Sequence, residues 1–92
     1  MQDDRFEWDD AKAAENFRKH GVSLKLAAEA FDDPNWIETD DPEPSERRYN
    51  RVCMRSGRVF MVTYTERDER VRIISARLAT RHEQRAYFDG QA

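Results

Sequence analysis

The chain has 92 residues, which suit one domain with a modest core, and we expect residues 1–92 to form it. Charged residues make up 38% of the sequence, and no stretch approaches the roughly 18 apolar residues of a membrane span. These two observations exclude a membrane protein and predict a cytoplasmic location. Cys53 is the single cysteine, so an internal disulfide is excluded.

The formal net charge of −3 hides two halves of opposite sign. Residues 1–46 hold 5 Lys or Arg and 14 Asp or Glu, which gives −9, whereas residues 47–92 hold 11 Arg and 5 Asp or Glu, which gives +6. The planar guanidinium of arginine matches phosphate and carboxylate well. The basic half is therefore a candidate polyanion surface, unless the two halves pair with each other.

The first predicted elements are a short strand over 6–8 and a helix over 10–20. Asp9 is a favourable residue for the N-cap of this helix, and Gly21 is a typical residue to end it. The cations just before Gly21 stand at the negative end of the helix dipole.

A second helix begins after Ser23, another N-cap residue. Its apolar positions recur at helical spacing and form one stripe: Leu24, Ala27, Ala28 and Phe31. A brief strand is predicted over 36–39, followed by an acidic loop over 40–46 that contains two prolines.

The second half has the alternating pattern of a sheet. Two strands, over 49–54 and 59–65, are joined through Ser56-Gly57, a plausible hairpin turn. A second tight turn leads to a strand over 71–76. Strict alternation places Arg72 and Arg77 on opposite faces of this strand, so these two arginines are not expected to share a role.

The last element is a helix capped by Thr80, with Glu83 completing a Thr-x-x-Glu capping box. The fold class is therefore α+β: an antiparallel sheet, two N-terminal helices and one C-terminal helix, with the helices expected on one face of the sheet.

No phosphate-binding loop or metal-ligand spacing is present in the sequence, so neither a metal nor a cofactor is predicted. RNA cleavage without a metal requires a proton acceptor for the 2′-hydroxyl group, cations for the phosphate and a proton donor for the leaving oxygen. The candidates for proton transfer are Glu66, His20 and Tyr64. The candidates for the positive charge are Arg51, Arg67, Arg77 and Arg81.

An ordered set of motifs resembles the BrnT-type toxins of type II toxin-antitoxin systems, which are similar in fold to RelE-like ribonucleases. The matching pieces are Phe-Glu-Trp-Asp-Asp-Ala-Lys at 6–12, Asn16 with Lys-His-Gly-Val at 19–22, Ala-x-x-x-Phe-Asp-Asp-Pro ending at Pro34, Val-x-Tyr-Thr-Glu-Arg at 62–67, Arg-Ile-Ile-Ser-Ala-Arg at 72–77, and Thr80, Glu83 and Tyr87. They cover nearly the whole chain in order.

The resemblance implies a small RelE-like domain with metal-independent endoribonuclease activity that inhibits translation. It also implies neutralisation by a cognate BrnA-type antitoxin with a ribbon-helix-helix domain, through which the complex reaches operator DNA. The motif positions carried over as catalytic candidates are His20, Tyr64, Glu66, Arg67 and Arg77. Arg51 and Arg81 are RNA-binding candidates from charge alone. The alternative is a non-catalytic interaction module or an inactive toxin that acts with a DNA-binding partner in transcriptional autoregulation.

Overall fold

The computed structural model describes residues 1–39 and 47–91. Within these residues the fold is α+β, with three helices and a five-stranded mixed sheet. The elements in chain order are β1 (Phe6–Glu7), α1 (Asp10–His20), α2 (Leu24–Ala30), β2 (Ile37–Thr39), β3 (Tyr49–Arg55), β4 (Arg58–Arg67), β5 (Arg70–Leu78) and α3 (Arg81–Asp89). The acidic loop predicted over 40–46 lies outside the described residues.

The helix ends follow the local signals in the sequence. Asp9 accepts a hydrogen bond from the Lys12 N–H at 2.9 Å, and Ser23 caps α2 in the same way. Gly21 ends α1 with a φ of 69°, in the left-handed region that favours glycine. At α3 both halves of the capping box between Thr80 and Glu83 are formed. The starts of the three described helices and the end of α1 are therefore set by residues within one turn of them.

The sheet has the strand order β1-β5-β4-β3-β2. Strands β3, β4 and β5 are successive antiparallel neighbours, and β2 extends the sheet antiparallel to β3. The prediction of an entirely antiparallel sheet is wrong at β1, which pairs in parallel with β5 through Phe6 with Val71 and Glu7 with Arg72. A parallel pair needs a long crossover, and here all the chain between the two strands supplies it.

The prediction that the helices share one face of the sheet is also wrong. The described residues form two hydrophobic cores, because β4 presents apolar side chains in both directions. One core, which includes Phe60 and Val62, packs against α1 and α2. The other contains Val59, Met61 and, from α3, Tyr87. Since strand residues alternate between faces, α3 covers the face opposite α2.

A β-bulge in β5 changes the direction of its arginines. Thr63 of β4 is the partner of Ser75, and the next residue, Tyr64, is the partner of Ile73, so Ile74 is an extra residue. Arg72 and Arg77 are therefore opposite Thr65 and Met61, which lie on the same face of β4. The prediction that the two arginines point in opposite directions is wrong for this reason. The face that they share is the one on which α3 packs.

No helix among the described residues is long and apolar enough to cross a membrane.

Candidate functional site

A concave pocket of about 280 Å³ lies where the end of β4 meets β5 and the first turn of α1. It is lined by Lys12, Arg47, Arg48, Thr65, Glu66, Arg67, Arg72 and Ile74, and we call it the basic pocket. Five of these eight residues are cations and one is an acid, although the chain as a whole is acidic. The fold therefore gathers positive charge at one place that the net charge does not reveal.

The position of Lys12 in the basic pocket depends on how α1 is fixed to the sheet. Asn16 is buried, and its Nδ2 donates to the carbonyls of Val22 and Ala76, both at 2.9 Å. Its Oδ1 accepts from the Ala76 N–H at 3.1 Å. The Asn16 amide thus occupies the edge of β5 as a neighbouring strand would, which holds α1 alongside β5.

Behind the basic pocket lies a buried carboxylate. Arg72 donates from Nη1 to Glu7 Oε2 at 3.2 Å, and Arg67 Nε is 3.7 Å from Glu7 Oε1. The Glu7 side chain is only 9% exposed, whereas that of Arg67 is 60% exposed. Glu7 therefore holds two arginines from the protein side and leaves the Arg67 guanidinium open to solvent.

A second, smaller pocket of about 210 Å³ continues along α1. It shares Lys12 and Ile74 with the basic pocket, and its other lining residues are Glu15, Asn16, Lys19, His20 and Ser75. His20, the last residue of α1, is exposed in it. The two pockets together form a groove between α1 and β5, which we call the α1 groove.

The predicted site residues are only partly brought together. Glu66 and Arg67 line the basic pocket and His20 lines its continuation. Arg77 lies farther along β5 and donates to both carboxylate oxygens of Glu83, at 2.8 and 2.9 Å. This pairing raises the pKa of Arg77 and lowers that of Glu83. Arg81 is exposed at the start of α3.

Tyr64 lies in the core formed with α1 and α2, on the opposite face of β4 from Thr65. Its ring is edge-on to Phe31, with centroids 4.8 Å apart, and stacked on Tyr49 at 5.3 Å. The side chain is almost completely buried, and burial raises the pKa of its hydroxyl. These contacts give Tyr64 a packing role.

Arg51 lies on the same face as Tyr64 and is enclosed by aromatic rings. Its guanidinium carbon is 3.6 Å from the ring centroid of Phe31 and 3.7 Å from that of Trp36. Nη1 donates to the Phe31 carbonyl at 2.9 Å, and Nη2 is 3.4 Å from the Tyr64 hydroxyl. The Arg51 charge is thus used within the fold, as a cation between two rings.

These features suit the binding of a phosphate chain. Several guanidinium groups converge on one concavity, and Glu66, a possible proton acceptor, is also among its lining residues. Strand alternation directs the Glu66 side chain to the Tyr64 face of β4, where burial and, to a smaller extent, the Glu66 charge raise the pKa of the Tyr64 hydroxyl. Within residues 1–39 and 47–91, no three His, Cys, Asp or Glu residues are grouped so that they could hold a metal ion.

Comparison with known families gives a clear match. The model of the family described as "Ribonuclease toxin, BrnT, of type II toxin-antitoxin system" matches residues 8–83, most of the chain and every residue that lines the basic pocket. The chain belongs to the BrnT family. The resemblance seen in the sequence is thereby confirmed. A comparison with curated proteins gave no match.

Membership of the BrnT family supports ribonuclease activity and implies an antitoxin partner. The basic pocket of this BrnT chain also contains residues that sequence reasoning missed: Lys12, Arg47, Arg48, Thr65 and Arg72. The adjacent Arg47 and Arg48, just before a predicted strand, were a visible signal. Arg72 was not, because the bulge that turns it is set by pairing with β4.

Proposed function

We propose that this chain is a metal-independent endoribonuclease that cleaves RNA, inhibits translation and binds the RNA backbone in the α1 groove. The observation that carries the proposal is the basic pocket, where five cations surround one concavity in an acidic chain. Phosphate contacts of this kind supply essentially all of the sequence-independent affinity of proteins for nucleic acid. The family match supports the class of reaction.

In the proposed mechanism the open guanidinium of Arg67, together with Arg72, holds the scissile phosphate. Glu66, with its carboxylate turned from the Tyr64 face of β4 into the pocket, accepts the proton of the attacking 2′-hydroxyl, and the guanidinium groups stabilise the charge that gathers on the phosphate. His20, in the adjoining pocket, is the proposed proton donor for the leaving oxygen. Arg77 and Arg81 are proposed to contact RNA only beyond this centre, while Tyr64 and Arg51 support the fold.

We further propose a RelE-like arrangement and neutralisation by a BrnA-type antitoxin with a ribbon-helix-helix domain. The order of the elements supports the first statement. The second is supported by the resemblance of the motifs and by membership of a toxin-antitoxin family. Covering the basic pocket would be a direct way for the antitoxin to stop cleavage. Contact with operator DNA then runs through the antitoxin rather than through this chain.

The test is cleavage of a labelled single-stranded RNA in EDTA by the parent and by the variants Glu66→Ala and Arg67→Ala. Arg58→Ala is a matched control, because Arg58 begins the strand that Arg67 ends. We expect a loss of about a hundredfold or more for the two pocket variants, as for other removed acid-base or charge-stabilising groups, and parent activity for the control. Cleavage that is unchanged in both pocket variants would rule out the site.

RNA binding separates affinity from chemistry. A 2′-O-methyl RNA lacks the attacking hydroxyl, so its affinity reports binding alone. Lys12 is exposed and forms no ion pair with any residue in 1–39 or 47–91. Lys12→Ala should therefore weaken binding without loss of stability and lower the salt slope of log K by about 0.7, the value for one phosphate contact on a single strand. An unchanged slope would place the RNA elsewhere.

A non-catalytic interaction module is the second candidate. This candidate is favoured because three of the predicted site residues already have partners within the fold. Arg77 is paired with Glu83, Arg51 lies between two aromatic rings, and Tyr64 is packed in the core. Folded protein that leaves RNA intact would support this reading. Induced expression distinguishes the two in cells: a toxin stops growth and the adjacent reading frame restores it, whereas harmless expression supports the module.

A further inference from the structure

We infer that Glu7 is a positioning residue, whose buried carboxylate holds the guanidinium groups of Arg67 and Arg72 in place for an RNA phosphate in the basic pocket. The inference rests on the proposed function, because it concerns the same pocket. Glu7 itself does not line the pocket, and it precedes the residues that the family model matches.

The position of Glu7 follows from the parallel pairing of β1 with β5. Phe6 is opposite Val71 and turns into the core, so its neighbour Glu7 turns to the other face, beside Arg72. Arg67 reaches the same carboxylate from the end of β4. One acid thus ties together the ends of two strands that supply cations to the basic pocket.

Burial distinguishes this arrangement from an ordinary surface ion pair. In the pairs Arg5 with Asp32, Arg18 with Glu15 and Arg55 with Glu29, every side chain is at least 44% exposed. Glu7 is 9% exposed while its partners Arg72 and Arg67 are 28% and 60% exposed. A carboxylate removed from water keeps its arginine partners more strictly than a solvated one does. The exposed parts of the two guanidinium groups are therefore directed outward.

A positioning role makes opposite predictions for affinity and for turnover. The charge of Glu7 repels an RNA phosphate in the pocket, so Glu7→Gln should tighten binding of a 2′-O-methyl RNA by about two- to fivefold. The amide nitrogen introduced by Glu7→Gln is a donor and cannot accept a hydrogen bond from the guanidinium group that it faces. One of the two arginines therefore loses its fixed orientation. The kcat for RNA cleavage should fall by about tenfold or more, because misplaced groups stabilise the transition state poorly.

Two further variants separate charge from position. Glu29→Gln is the matched control, since Glu29 also faces an arginine, Arg55 at 3.8 Å, but lines pockets away from the α1 groove. It should leave both kcat and RNA affinity at the parent values. Glu7→Asp keeps the charge and shortens the reach by one methylene group, so it should leave affinity unchanged and lower kcat.

The experiment measures kcat, KM and the Kd for 2′-O-methyl RNA, with the folded fraction determined by urea titration. Tighter binding with slower turnover in Glu7→Gln supports the inference. Equal kcat in Glu7→Gln and Glu29→Gln would overturn it, as would a loss of activity that only follows the folded fraction. If the parent binds RNA without cleaving it, the proposed reaction fails. In that case the Kd values alone test the role of Glu7. Tighter RNA binding by Glu7→Gln, with parent affinity in Glu7→Asp, supports the inference, and any other result overturns it.

Discussion

Replacing Asn16 by alanine should destabilise the protein strongly, because one buried amide satisfies three backbone groups. The substitution removes the two bonds to the carbonyls of Val22 and Ala76 and the bond from the Ala76 N–H. A buried polar group left without a partner costs about 1–3 kcal/mol. Asn16 lines the smaller pocket of the α1 groove, so water can reach some of the three backbone groups. Alanine returns about 0.5 kcal/mol through its higher helix propensity. We therefore expect a net loss of roughly 2–4 kcal/mol.

This loss is large for a small domain, whose total stability is about 5–14 kcal/mol at 92 residues. The assay is equilibrium urea denaturation followed by tryptophan fluorescence. With an m value of about 1.5 kcal/mol/M, the midpoint should fall by roughly 1.3–2.7 M. Asn16→Asp should cost more, because it replaces the amide donor by a carboxylate that faces two carbonyl oxygens.

Arg18→Ala on the same helix is the control. Arg18 makes an exposed ion pair with Glu15, and such pairs are worth less than about 1 kcal/mol. An Asn16→Ala variant whose midpoint lies within error of that of Arg18→Ala would refute the argument that this amide joins α1 to β5.

Three further outcomes are expected. Asp68 and Glu69 both have positive φ in the turn between β4 and β5, a conformation that glycine adopts without strain. Glu69→Gly should therefore raise the free energy of unfolding by about 0.5–1 kcal/mol. Thermal unfolding checks this, and a lower midpoint would contradict it. Burial raises the pKa of the Cys53 thiol to about 12. A thiol reagent at neutral pH should therefore modify Cys53 only in denaturant. Reaction with the native protein would contradict this and show that the core around Cys53 opens. The hydrogen bond from Arg77 holds the pKa of Glu83 below its ordinary value of 4.5. The stability that this pair contributes is therefore present above pH 4.5 and is lost as the pH falls through the lower pKa of the folded state. Over that pH range the free energy of unfolding should fall more steeply for the parent than for Glu83→Gln, and parallel curves would contradict the pairing.

Local structure was predictable wherever a few neighbouring residues decide it. Asp9, Ser23 and Thr80 cap helices because a side-chain oxygen reaches an amide only three residues along the chain. The hairpin at Ser56-Gly57 needs positive φ at two adjacent positions, and both residues have it. The family could also be identified from the order of short motifs, and the match over residues 8–83 confirms it.

The composition of the candidate site was less predictable. Glu66, Arg67 and His20 were chosen from the sequence and lie along the α1 groove, whereas Tyr64 and Arg51 lie on the other face of the sheet. An arginine in a sequence does not reveal whether a carboxylate, a ring or solvent will face it. For Arg51 the deciding neighbours, Phe31 and Trp36, are more than a dozen residues away along the chain.

The sequence alone thus determined the helices, the turns, the α+β class and the surplus of arginine in the second half, because caps, turns and charge depend on residue type and short spacing. Tertiary pairing decided the rest. One extra residue at Ile74 reverses the strand alternation beyond it and brings Arg72 and Arg77 to one face. The parallel pairing of β1 places Glu7 beside Arg72, 65 residues away along the chain. Both effects come from contacts between distant segments, and no local pattern specifies them.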